Sequence, residues 1–392
     1  MTKFNLKILL ILSFGHLITD IYQSSLPAIL PFLKEELSLS YTMAGVILMA
    51  ANFTSSLIQP LFGFLSDRQE KAIFLPLGCF CAGLGFSLIS LPSNYSLVLL
   101  LVIVSGFGIA SYHPEGYKTA YFFTGEKRVT GMAVFSVGGN MGFALGPMVS
   151  IYIIRYMGFS SLPVIIIPSL VFVATIFFYW RDLSITGLRR YRAEAENPTA
   201  GKGEKGAYAS LATLIAIVVM RSWTQMGLMS YIPFYYINYL KGDPLYAGKL
   251  VFVFLLGGAI GTLGGAPLAD RWGHRRYLIL SMFLSTLVLP LIFVTHGYLL
   301  FAVLGILGVT LVSTFSVTVV MAQQLLPRNL GVASGLMVGF AIGAGGICVT
   351  LLGVVADNFG VPAALESIMV IPLAGFILSL ILRYPETTGK TA

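Results

Sequence analysis

Apolar residues along the chain are gathered into twelve long runs separated by short polar stretches, near residues 8–30, 41–65, 72–91, 97–123, 129–155, 162–180, 209–240, 246–269, 275–295, 298–326, 329–356 and 362–382. Each run holds about 20 residues or more, the length a helix needs to cross roughly 30 Å of hydrocarbon. Lipid offers no partner to backbone N–H and C=O groups, so repeated runs of this kind predict helices rather than open strands. The expectation is an all-α membrane protein of twelve transmembrane helices.

One polar stretch is longer than the others. Residues 181–208 are rich in Gly, Pro and charge, the composition of a surface linker. They divide the chain into a six-helix bundle at 1–180 and a second at 209–392. The halves echo each other: GFLSDRQEK runs from Gly63 to Lys71 and APLADRWGHRR from Ala266 to Arg276, which sets Asp67 and Asp270 203 residues apart. Parallel repeats of this sort belong to carriers that rock one half against the other. An Asp at a helix end followed by bases can accept hydrogen bonds from a neighbouring helix N-terminus and hold one side closed. Asp67, Arg68, Lys71, Asp270, Arg271 and Arg275 are therefore the expected gating residues, against the plainer reading of ordinary basic loops. Glycines at 131, 138, 139, 142 and 146, and at 331, 335, 339, 343, 345 and 346, predict close helix packing in the fifth and eleventh segments.

Composition agrees with this pattern. Of 392 residues, 57% are hydrophobic and only 10% charged, with a mean hydropathy of +0.87; a soluble domain of that length keeps a far more charged surface. Basic residues concentrate in alternate loops, at Arg68 and Lys71, Lys127 and Arg128, residues 181–205, Arg271 to Arg276, and Arg328, which predicts both termini in the cytoplasm. The net charge of +8 is then a topology signal and an attraction to anionic lipid, not a sign of nucleic acid. Lys3 and Lys7 precede the first run like the start of a signal peptide, but the run lacks a small-residue cleavage pattern and continues through Asp20 and Pro27, so it reads as a retained helix. Cys79, Cys81 and Cys348 show no disulfide or metal-ligand pattern.

The informative residues are polar ones deep in apolar runs, which are expensive there unless they face a cavity or a partner. His16, Asp20 and Gln23 share approximately one helix face, where an imidazole and a carboxylate can bind and release a proton; Asp20 can equally serve as a structural pair. In SYHPEGYK (111–118), Pro114 removes a backbone donor, predicting a broken fourth helix with Glu115 as the leading proton-coupling group and His113 as its partner or a substrate contact. A structural kink is the alternative. Arg221 offers a permanently charged planar fork suited to phosphonate, phosphate or carboxylate, with an internal salt bridge as its rival role. Trp223 and Gln225 beside it, and His16, Gln23, Asn52 and Asn140 in the first half, complete the expected substrate contacts. No Walker-type loop and no hydrolytic zinc spacing is present, so neither an enzyme, a metal nor a cofactor is expected, and energy must come from a gradient.

The duplicated GFLSDR and PLADRWGHRR loops, with GGNMGFALGP at 138–147, resemble the major facilitator superfamily over essentially the whole chain. Ala266 departs from the usual glycine of the second loop, and no arginine-led polar motif opens the fourth helix. GHLITDIYQS, YHPE, FSVGGNMG, RSW, VFVFL and FSVTVVMAQQLLP are similar to the fosmidomycin-resistance branch. The resemblance implies two pseudo-symmetric bundles, and a functional monomer in the bacterial inner membrane, surrounded by lipid bilayer. It also implies exchange of small anionic or zwitterionic drugs such as fosmidomycin for protons, and it places Asp20, His113, Glu115 and Arg221 at positions of the branch's pattern. Import of a small organic anion with protons is the alternative.

Overall fold

The structure, a computed structural model, describes residues 4–39, 41–69, 71–183, 204–241 and 243–384. Among them run twelve long helices: α1 (Leu6–Glu36), α2 (Met43–Asp67), α3 (Phe74–Ser90), α4 (Tyr95–Phe123), α5 (Arg128–Met157), α6 (Phe159–Phe178), α7 (Gly206–Tyr236), α8 (Tyr246–Trp272), α9 (His274–Phe293), α10 (Gly297–Leu325), α11 (Leu330–Phe359) and α12 (Val361–Ile381). All except α3 are long and apolar enough to span a bilayer by themselves, and α3 is a shorter apolar helix. Each overlaps one of the apolar runs. α1 continues beyond its run to Glu36, through Pro27 and Pro31. Most of the linker expected at 181–208 lies outside the described residues; helix is present at Trp180–Leu183 and resumes at Glu204.

Local chemistry sets the ends. Asn5 and Asn94 cap α1 and α4, their side-chain oxygens accepting from the N–H groups of Ile8 and Leu97, which satisfies donors that a helix start leaves open. α5 turns into α6 at Gly158 (φ 89°, ψ 160°) and α11 into α12 at Gly360 (φ 88°, ψ 161°). That backbone region is essentially closed to side chains, and the same turn at corresponding places in the two halves is the sequence repeat expressed as geometry.

The helices gather into two compact units. The first holds α1 to α6 together with residues 326–340, the start of α11; the second holds α7 to α10, the remainder of α11, and α12. In the first, α1 lies along α5. A methyl group at Gly138 or Gly142 would overlap the carbonyl oxygens of Ser13 or Leu17, so backbone meets backbone there, as small-residue faces permit. In the second, α8 lies along α10, and α7 packs on α12 and on Gly345–Phe359.

The helices are not uniform. π-helical turns interrupt α2 at Phe53–Leu57 and α11 at Gly335–Phe340, and another follows Pro233 at the end of α7. α10 breaks between Val312 and Phe315. α4, in contrast, is one continuous helix through Pro114; a proline removes a single backbone donor, and the flanking turns keep theirs.

Candidate functional site

The first cluster lies where α1, α4 and α5 meet. Asp20 stands between two imidazoles: Nε2 of His113 is 2.9 Å from its Oδ1 and Nε2 of His16 is 3.4 Å from its Oδ2. Both rings are pinned from behind, His113 Nδ1 lying 3.0 Å from the carbonyl of Ile109 and His16 Nδ1 3.0 Å from that of Phe135. A carbonyl only accepts, so Nδ1 carries the hydrogen in both rings and Nε2 faces the carboxylate. With both rings neutral and Asp20 ionised, only acceptors would meet. The cluster therefore calls for a shared positive charge. His16 is further fixed by stacking on Phe135, with ring centroids 4.4 Å apart.

One turn beyond Asp20, Gln23 reaches a cavity of ≈ 50 Å³ shared with Tyr22, Asn52, Ser55, Ser105 and Ile109. Space of that size suits one or two waters and is well below the about 300–1,000 Å³ of a drug-sized pocket. Within the first unit it is a small, mostly apolar cavity with polar groups at Gln23, Asn52, Ser55 and Ser105 rather than an enclosed drug pocket.

The second cluster involves Glu115, which points away from His113. Its Oε1 lies 2.9 Å from Lys118 Nζ, with the two side chains 0% and 1% exposed. Lys118 also donates to the Ser66 carbonyl at 2.7 Å, placing a cation at the C-terminal end of α2, where helix carbonyls are unpaired. The next residue, Asp67, accepts from the backbone N–H groups of Gly331 (2.8 Å) and Val332 (3.0 Å). These lie in the first turn of α11, where Asn329 makes no side-chain cap.

The third cluster belongs to the second unit. Arg221, buried on α7, donates through Nη1 to the hydroxyls of Thr318 (3.3 Å) and Thr314 (3.5 Å), and its guanidinium lies over the Phe315 ring. The partners lie in the break in α10, at Thr314, and in the turn that follows it, at Phe315 and Thr318. Trp223 donates its indole N–H to the Ala344 carbonyl at 2.9 Å, and so ties α7 to α11. Gln225, two residues on, and Asn140 on α5 are both half-buried.

The remaining expected residues lie apart from these clusters. Arg68 is exposed and rests on the Phe64 ring, and Lys71 is exposed. Asp270 lies 3.8 Å from His274, and Arg271 is exposed. Arg275 donates to the carbonyls of Leu380 and Leu382, each at 2.7 Å, at the C-terminal end of α12. Sequence reasoning gave Lys118 no partner and passed over Ser66, Thr314 and Thr318. The Glu115 and Lys118 spacing of three and the hydroxyl-rich STFSVT at 313–318 were the available signals.

The sequence profile described as Major Facilitator Superfamily matches residues 12–243 and again 214–392. The chain belongs to the major facilitator superfamily. It is accordingly a multi-pass membrane transport protein and not an enzyme. Among relatives in this superfamily, an uncharacterized MFS-type transporter of Bacillus subtilis, YfnC, is 32% identical over 95% of this chain and 92% of its own. The fosmidomycin resistance protein of Escherichia coli is 30% identical over 93% and 90%. The crystal structure of the E. coli fucose:proton symporter superposes with a TM-score of 0.71 at 16% identity, covering 97% of this chain and all of that one. At that identity the likeness establishes the shared fold.

Proposed function

We propose that this major facilitator carries a small organic anion across the membrane by alternating access, with protons as the coupling ion. The observation that carries the reading is Arg221, a permanently charged fork held among two hydroxyls and an aromatic face inside an apolar helix. A planar guanidinium matches carboxylate, phosphate and phosphonate groups in a way that a neutral solute cannot exploit. Gln23 and Asn52 at the first-unit cavity are the neutral contacts proposed with it. Asp20, His113 and Glu115 are the side chains offered for protons, and the Asp67 hold on the start of α11 is the contact that must release during transport. Proton and anion need not share atoms; they act through one conformational equilibrium.

Uptake together with protons is the better supported direction, since a fold neighbour is named a fucose:proton symporter. Exchange of fosmidomycin for protons is the second reading, favoured by the 30% identical resistance protein. In either case both termini are proposed to lie in the cytoplasm, a reading supported by the concentration of basic residues in alternate loops.

The test is flux in proteoliposomes under an imposed pH gradient, with internal pH recorded and a panel of carboxylates, phosphates and fosmidomycin offered. Anion and proton moving together support symport; opposite movement supports exchange. Transport of neutral solutes in preference to every anion would overturn the reading.

A further inference from the structure

The cluster of His16, Asp20 and His113 has features that a proton alone does not require. Its three ligand atoms all lie within 4.8 Å of one another. The two pairs facing the carboxylate are 2.9 and 3.4 Å apart. Ligand atoms of a tetrahedral zinc site with bonds of about 2.0–2.1 Å are about 3.3 Å apart; the two contacts reach different carboxylate oxygens, so the triad closes on one ion by drawing its ligand atoms in from their 4.8 Å limit. Each imidazole presents Nε2 because its Nδ1 donates to a backbone carbonyl, the arrangement that fixes the tautomer of metal-bound histidines from outside the ligand shell. Glycine at 139 keeps the ground in front of two ligand atoms clear: a methyl there would lie 2.5 Å from His16 Nε2 and 2.6 Å from Asp20 Oδ2. The Asp20 side chain retains 12% exposure, so the cluster is not sealed from an entering ion or from water as a further ligand.

We infer that His16, Asp20 and His113 bind a divalent transition-metal cation of the zinc type. Two imidazoles and one carboxylate select zinc, cobalt or nickel over magnesium and calcium, which prefer all-oxygen shells. The cation takes the place of the positive charge that three converging acceptors call for. It occupies lone pairs offered above to protons, yet its binding is independent of which solute the carrier moves.

The experiment is a Co2+ titration of the purified full-length protein in lipid nanodiscs, followed by visible d–d absorption. The expected result is one Co2+ per chain with the intense bands of a four-coordinate site, displaced by Zn2+ and not by Mg2+. Asp20→Asn and His113→Gln each weaken binding about tenfold or more, whereas His296→Gln, at an exposed histidine, leaves it unchanged. X-ray absorption at the zinc edge of the unaltered protein, which needs no variant to fold, should show two imidazoles and oxygen ligands. Absence of saturable binding, a spectrum without imidazole, or full binding by the Asp20→Asn/His113→Gln double variant would overturn the inference. Flux measurements stand apart: a carrier that moves anions with protons but binds no Co2+ loses this site alone.

Discussion

Asp67 and Gly331 are joined by a 2.8 Å hydrogen bond from the backbone N–H of Gly331 to carboxylate Oδ1, although 264 residues separate them. Val332 adds a second bond at 3.0 Å to Oδ2. One carboxylate thus does for α11 what an N-cap side chain does for an isolated helix, meeting both the open N–H groups and the positive end of the helix dipole. Lys118 holds the preceding residue through the Ser66 carbonyl, so the aim of Asp67 depends on α4 as well as on α2.

Replacing Asp67 should separate its two contributions. Asp67→Asn keeps one acceptor oxygen and loses the charge, while Asp67→Ala leaves two N–H groups without their partner, at about 1–3 kcal/mol each where buried. The expected order of transport rate is wild type, then Asn, then Ala, with ligand affinity changed much less than the rate. Equal rates for Asn and Ala in a flux assay would mean that charge, not the hydrogen bonds, is what matters.

Glu115 and Lys118 form a fully buried pair, and breaking such a pair from one side costs about 3–5 kcal/mol because the other charge is stranded. Lys118→Met should lower the thermal unfolding midpoint sharply, and Glu115→Gln/Lys118→Met should restore much of the loss. If the double variant is as unstable as the single one, the pair is not what stabilises this end of α4.

The spans were legible because crossing a bilayer is a property of composition over about 20 residues, whereas the matching turns at Gly158 and Gly360 emerge only in the backbone geometry. The partners of Glu115 were not read correctly from local pattern. Residues two apart on a helix face about 200° apart, so Glu115 and His113 cannot share one partner: His113 meets Asp20 and Glu115 meets Lys118. The proline between them suggested a break that the continuous α4 does not contain. His113 and Asp20 lie 93 residues apart, and their convergence depends on how α1 and α4 pack, which no spacing rule encodes.

Gly138 and Gly142 let α1 and α5 meet backbone to backbone. Gly138→Ala should force the Ser13 carbonyl and the α5 backbone apart, at about 1–3 kcal/mol for an overpacked contact, and Gly138→Ala/Gly142→Ala more. Thermal unfolding in detergent measures the loss. Unchanged stability in both variants would mean that the two helices have room to separate.

Arg221 tests the substrate class most directly. Arg221→Lys keeps a positive charge but loses the planar fork, and Arg221→Ala loses both. If the fork recognises an anionic group, affinity for carboxylate or phosphonate solutes should fall about tenfold or more in Lys and further in Ala, since a charged hydrogen bond contributes about 1.5–3 kcal/mol. Neutral analogues should change little in either variant. Competition binding with matched anionic and neutral compounds reads this without any flux. Equal losses for both classes would assign Arg221 to holding the broken α10 through Thr314 and Thr318, because a guanidinium that only braces a helix has no means of telling an anion from its neutral analogue.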